Sequence, residues 1–463
     1  MPLLIRHGQA VLEDSVELCD IYIDDGKIQA IQPHIDRSGL PEDTRIIEAE
    51  GAYIFPGFID AHTHYQIGEY EGSTADDFFS GSVAAAHGGI TTFIDFSDQL
   101  PDRTLLEGAE YRMKEASDSV IDYTLHQGIY HMHEYISEEI HNLRERGIRT
   151  VKLFSTYKEF GCYLPPETWN ELFPICGKEK MLITLHAEDD RCIEIIQHEY
   201  DQIDLPLTSG YHAQLRPAIA EYKAIYQAGT AALQASCPLY IVHVSSSLGL
   251  HAIRELRSSG ASLYAETTPH YLMLDESLLW GEQGNLYMMT PPLRTSDDNN
   301  ALVDGIEKGE IGIVATDHCS FSKKQKLAHA DCRDIPAGVP GSEELASLIY
   351  SRLVTTHTVS IVDMKNLLSA EPARVFGMYP QKGSLQVGTD ADIVIFSAEE
   401  PHTITASKMH SACDYTPYEG FTITGSPVIT ISHGNVIVDH GEFTGQRGAG
   451  SFIPCGVSSL YQK

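Results

Sequence analysis

Positive charge is scarce in this chain. Against 65 Asp and Glu it carries 32 Lys and Arg, a formal net charge of −33 at pH 7. Nucleic acid and anionic membrane surfaces both reward clustered cations, so neither is an expected partner. A neutral or cationic small molecule is easier to accommodate. No apolar run approaches the ~18 residues that cross a bilayer, and Met1-Pro2-Leu3-Leu4-Ile5-Arg6-His7 lacks the apolar core of a signal peptide. The nine cysteines, an odd number, are scattered from Cys19 to Cys455 with no Cys-x-x-Cys pair. That excludes a disulfide framework and a zinc-finger pattern and reads as reduced thiols. Short-period repeats and low-complexity segments are also absent. These absences together predict a cytoplasmic protein that works on small molecules.

What is present points to an α/β fold. With 463 residues, 42% of them apolar, the chain can build a large core. Residues 1 to 55 alternate short β-patterned runs with turns, and Asp25-Gly26 is a hairpin signal. The same texture returns in Asp390-Ala391-Asp392-Ile393-Val394-Ile395-Phe396 and from Val428 to Val438. Both termini are therefore expected to meet in one small β-sandwich, 1–55 plus 382–463, the latter including a C-terminal tail. Between them, apolar strands at 54–61, 91–97, 122–130, 150–155, 181–187, 239–245, 262–268 and 312–317 alternate with amphipathic helices. The helices are expected at 104–117, after an N-cap at Ser137 and before Gly147, at 216–235, and at 247–259 closed by Gly260. Eight such units across 56–381 predict a (β/α)8 TIM barrel, with 322–342 as a long loop.

Catalytic groups of such a barrel sit at the C-terminal strand ends. The first strand closes on His62 and His64, whose spacing of two puts both rings on one side. The fourth carries Lys152, the fifth ends at His186, the sixth at His243 and the eighth at Asp317. Any one of these is readily explained as a structural group, but their shared register is not. Imidazoles and a carboxylate converging near solvent suit zinc or a similar borderline divalent ion. Lys152 needs separate chemistry, because an ammonium ion repels a metal. A carbamate formed from its neutral amine and carbon dioxide (N6-carboxylysine) is an anionic two-oxygen ligand able to bridge two metals about 3.5–4 Å apart. Desolvation supplies the depressed pKa that the reaction requires.

At this point a family resemblance emerges. Pro56-Gly57-Phe58-Ile59-Asp60-Ala61-His62-Thr63-His64, Val151-Lys152-Leu153-Phe154-Ser155-Thr156-Tyr157-Lys158, Thr290-Pro291-Pro292-Leu293-Arg294, Ala315-Thr316-Asp317-His318-Cys319 and Asp414-Tyr415-Thr416-Pro417-Tyr418-Glu419-Gly420 resemble the cyclic amidohydrolases of the hydantoinase and dihydropyrimidinase type over nearly the full length. The resemblance implies two divalent metals bridged by carboxylated Lys152, with His62, His64 and Asp317 on one ion and His186 and His243 on the other. It implies Tyr157 at the substrate oxyanion, ring binding by the loop at Thr290, and a homodimer or homotetramer, with the tail from 440 onward as a contact. Thr290 stands where the family typically has serine, and Ala337 where hydantoinases usually have asparagine, which bears on the choice of ring. The implied product is an N-carbamoyl amino acid.

An absence narrows the substrate. Dihydroorotases resemble this chain but place an arginine two residues beyond the second histidine; here stand Tyr65-Gln66, and no Lys or Arg occurs until Arg103. A carboxylate-bearing ring lacks that partner. Hydantoins or dihydrouracil are favoured, with an allantoinase-type reaction as runner-up and a non-catalytic dihydropyrimidinase-like scaffold as the reading of a different class. Tyr65, Tyr70, Phe154 and Phe160 suit an apolar 5-substituent. His126, His131, His133, His270 and His318 are left without a role, and Cys319 is expected to be a buried, inert thiol.

Overall fold

The computed structural model describes residues 2–68, 73–202 and 206–462. Eight parallel strands form one sheet in sequential order: β1 (Phe58–Asp60), β2 (Ile90–Ser97), β3 (Asp122–Gly128), β4 (Thr150–Phe154), β5 (Leu182–His186), β6 (Leu239–Ile241), β7 (Leu263–Thr267) and β8 (Ile313–Val314). Every residue of β2, β3 and β5 is buried, as expected for strands covered on both faces. The first and last strands meet just beyond their ends. Thr63 bridges His318, the His64 N–H donates to the His318 carbonyl at 2.7 Å, and Asp60 accepts from the Thr316 backbone at 3.0 Å and its hydroxyl at 2.5 Å. The sheet thus nearly closes into the expected barrel.

The helices follow from their caps. Helix α1 (Phe78–His87) and α2 (Leu105–Glu115) begin with capping boxes, Asp77 with Ser80 and Thr104 with Glu107. Helix α3 (Ile136–Arg146) ends at Gly147, whose φ of 89° favours glycine. Ser137, expected as its N-cap, instead lies in the first turn. Tyr135 takes the cap position without a side-chain bond, and Glu138 and Glu139 supply the negative charge that the helix start favours. Helices α4 (Trp169–Glu179), α5 (Ala218–Ala235) and α6 (Ser247–Ser258), the last capped by Ser246, continue the outer layer.

The run 54–61 divides where a single strand was expected. Tyr53–Pro56 pairs antiparallel with Ile393–Thr403 in a nine-stranded mixed sheet drawn from both termini, whereas Phe58 opens the barrel. Gly57 is the crossing point. Its N–H donates to the Asp392 carbonyl at 2.7 Å, and a Cβ there would lie 2.0 Å from the Thr91 hydroxyl. The terminal sheet encloses its own apolar core, including Ile5, Ile21, Ile54, Ile393 and Ile431. Lys382 pins this region to the barrel through Asp122 at 2.6 Å and Asp392 at 2.5 Å, all three buried. The tail runs along the barrel end opposite the C-terminal strand ends: the Ile453 N–H donates to Tyr123, the Cys455 N–H to Gly147, and the Tyr461 hydroxyl to Met181. Among the described residues no helix is long and apolar enough to cross a membrane.

Candidate active site

The C-terminal strand ends surround a cavity of about 350 Å³. His62, His64, Lys152, Tyr157, His186, His243, Thr290, Asp317 and Ala337 all line it. His62 Nε2 and His64 Nε2 are 3.2 Å apart, and each is 3.2 Å from Asp317 Oδ1. Three donors meet at mutual distances that a shared cation satisfies. The His243 ring lies 5.3 Å from His62 and 4.6 Å from His186, centroid to centroid. His243 Nδ1 and His64 Nδ1 are buried with no hydrogen-bond partner. Lys152 is 1% exposed, its Nζ lying 4.7 Å from the Phe96 ring centre and 5.0 Å from that of Phe154. Burial pushes its pKa down to about 8 despite the carboxylates of Asp317 and Glu266. Burial, followed by neighbouring positive charge, lowers His62 and His243 well below the ordinary histidine value. Neutral imidazoles beside a carboxylate are the form that binds borderline metals, so His62, His64 and Asp317 fit a divalent ion, and His186, His243 and Lys152 line the same cavity.

Tyr157, His243 and Asp317 have φ of 72°, 38° and 52°. Left-handed backbone at three non-glycine residues of one cavity is strain of the kind that concentrates at functional sites. The Tyr157 ring lies 5.0 Å from His186 and carries the Arg216 guanidinium 5.1 Å above its face. Buried Lys326 joins two loops of the cavity, donating at 2.6 Å to the carbonyls of both Met288 and Pro336, beside Thr290 and Ala337. It lies in a four-residue helix, Lys323–Lys326, within the segment expected to be entirely loop.

Two carboxylates that the sequence analysis missed orient the histidines. Glu266, at the end of β7, is 2.8 Å from His62 Nδ1 and also accepts from the Tyr240 hydroxyl at 2.7 Å and the His243 N–H at 3.0 Å. That fixes the His62 tautomer and leaves Nε2 facing the cavity. Glu188 does the same for His186 Nε2 at 2.9 Å and pairs with Arg216 at 2.6 Å. Glu266 stands near the end of its strand like the residues that were singled out, and that position is the signal for it.

Several expectations are corrected. Tyr65 is fully buried rather than at the mouth: its hydroxyl is 3.0 Å from that of Ser342, and its ring packs on Phe78 and Phe93. Tyr70 lies outside the described residues. Cys319 is half-buried and lines the cavity wall. His126 bridges Thr150 and the Ala61 carbonyl, and His318 bridges Asp76 and the N–H groups of Gly341 and Ser342. Both are structural. Phe96, Tyr130, Phe154 and Phe160 supply the apolar wall.

Three buried imidazoles outside the assigned ligand set predict acid sensitivity. Desolvation lowers His126 and His212 to about 3 and His270 to about 4. Because these values lie below the unfolded value of about 6.5, the unfolded chain takes up protons first. The contribution is therefore complete above pH ~6.5 and is lost on acidification toward 4. Urea midpoints at pH 7.5 and 5 check this; a midpoint that holds or rises on acidification contradicts it.

A sequence profile of the amidohydrolase family matches residues 53–437. The chain is 37% identical over 458 residues, covering 98% of both sequences, to a D-phenylhydantoinase of Escherichia coli (strain UTI89 / UPEC). A solved dihydropyrimidinase from Brevibacillus agri NCHU1002 superposes with a TM-score of 0.95 at 31% identity, covering 99% of each chain. An L-hydantoinase (dihydropyrimidinase) from Arthrobacter aurescens gives 0.88 at 27% identity, covering 98% of this chain and 99% of that one.

Proposed function

Because the chain belongs to the amidohydrolase family, in its hydantoinase and dihydropyrimidinase branch, we propose that it opens the cyclic amide of a hydantoin or dihydropyrimidine ring to give an N-carbamoyl amino acid. The observation that carries this reading is the meeting of His62, His64 and Asp317 at 3.2 Å inside the cavity that also holds Lys152, His186 and His243. We read 56–381 as the hydrolase domain and 1–55 plus 382–463 as its supporting sheet and tail.

We assign His62, His64 and Asp317 to one divalent ion, probed first as zinc, His186 and His243 to a second, and Lys152 to both. The neutral ε-amine of Lys152 adds to the carbon of CO2; an N–C bond forms, one proton leaves to solvent, and the side chain becomes an anionic carbamate with two oxygen donors. When bound, such a pair of ions lowers the pKa of a water toward ~7 and polarises a carbonyl. Asp317 takes the proton released as the ring carbonyl is attacked and delivers it to the departing ring nitrogen. The Tyr157 hydroxyl donates to the oxygen that gains negative charge. Thr290 and the backbone at Ala337 position the ring, while Phe96, Tyr130, Phe154 and Phe160 accept an apolar 5-substituent.

Glu266→Ala is expected to weaken metal binding 10- to 100-fold, because His62 loses the acceptor that sets its tautomer. Metal retention during dialysis against a chelator measures the change, and wild-type retention contradicts the role. The function itself is tested by a hydrolysis panel on zinc-replete enzyme: hydantoin, both enantiomers of 5-phenylhydantoin, dihydrouracil, allantoin and dihydroorotate. Turnover of a hydantoin or dihydrouracil above the other rings supports the reading. Preference for allantoin or dihydroorotate, or turnover of none, overturns it.

A further inference from the structure

Away from the cavity, three distant segments bring metal-ligating side chains together. His87 closes α1, Glu343 follows the long segment after β8, and His410 lies on the loop before Thr422–Ser432. One ligand atom from each lies within 4.8 Å of the others. His410 Nδ1 is 2.8 Å from Glu343 Oε1, and its N–H donates to Glu343 Oε2 at 2.7 Å. The His87 ring faces the His410 ring at 3.3 Å between centroids, with planes 5° apart.

His87 is 8% exposed, and its Nε2 is buried without a hydrogen-bond partner. An unsatisfied buried polar atom is costly and calls for a partner. Two imidazoles and one carboxylate are the donor set of a zinc site with a fourth position open to water, and His410 supplies that opening, with 35% of its side chain exposed. The segment carrying Glu343 is already fixed, since the Ser342 N–H donates to His318 at 3.2 Å and Glu344 accepts from the Thr416 hydroxyl at 2.7 Å. The His410 ring is therefore the member that turns out of the stack to complete the ligand set.

We propose that His87, Glu343 and His410 form a further binding site for a zinc-class divalent ion, separate from the catalytic cavity, which clamps the loop before Thr422–Ser432 onto the barrel. The proposal does not rest on the catalytic reading. An ion held this way stabilises the folded chain by mass action.

The test compares the full-length wild type with His410→Ala and Glu343→Gln, each equilibrated with zinc against a weak chelator. The wild type is expected to hold about one more zinc per chain than His410→Ala, and Glu343→Gln to bind that ion about 10-fold more weakly. A zinc-dependent rise in Tm should be larger in the wild type than in His410→Ala, while ring-opening activity stays equal in all three. Equal zinc content and equal zinc-dependent Tm shifts in the wild type and both variants overturn the site. Because the readout is a difference between chains, it is independent of how many ions the cavity holds. Should His410→Ala fail to fold, the isosteric Glu343→Gln carries the comparison alone.

Discussion

Replacing Lys152 with alanine is expected to abolish ring opening, by at least about 10³-fold, and to strip the bound metals together. Lys152 is buried in the wall of the cavity that the donors line, and burial lowers its pKa to about 8, so a useful fraction of the amine is neutral near pH 7 to 8. Alanine removes both oxygen donors of the proposed carbamate at once and leaves two sets of imidazoles with no shared anion. Supplying a short carboxylic acid in solution offers the missing ligand from outside and should restore part of the activity. Metal counting and kinetics check the prediction; a Lys152→Ala variant that holds the wild-type complement of metal refutes the bridging role.

The second large effect is expected at Asp317. Asp317→Asn keeps an oxygen able to face His62 and His64, which lie 3.2 Å from Oδ1 in the wild type, but it removes the basic oxygen. The prediction is a fall in kcat of about 10²–10⁴-fold, the range for losing a positioned general base, with much of the metal retained and KM little changed. The left-handed φ of 52° at this position is tolerated by asparagine as well as by aspartate, so the backbone has no reason to move. Near-normal turnover ends the proton-shuttle assignment. Loss of metal in parallel with activity would make Asp317 a ligand only.

Much of the cavity was legible because strand periodicity and barrel topology turn a one-dimensional position into a place. A residue that closes an apolar strand in a parallel barrel has one mouth to face, and His62, Lys152, His186, His243 and Asp317 all obey that rule. Glu266 stands near the end of the seventh strand as well, but it acts from behind the cavity, on His62, 204 positions away in sequence. Tyr65 lies five residues beyond the end of β1, where the chain has already turned, and its ring packs under α1 against Phe78 instead of over the mouth. The break at Gly57 was invisible as pattern, since apolar residues continue on both sides while the hydrogen-bonding partners change from the terminal sheet to the barrel. Pairing of His87 with His410 belongs to tertiary structure alone, because neither stands in a motif.

Crystals of zinc-replete enzyme examined by anomalous scattering at the zinc edge test directly whether two ions share a carbamate ligand at Lys152. The prediction is two peaks in the cavity, one among His62, His64 and Asp317 and one beside His186 and His243, with carboxylated Lys152 between them. A single peak, or two peaks flanking an unmodified Lys152 side chain, would contradict it.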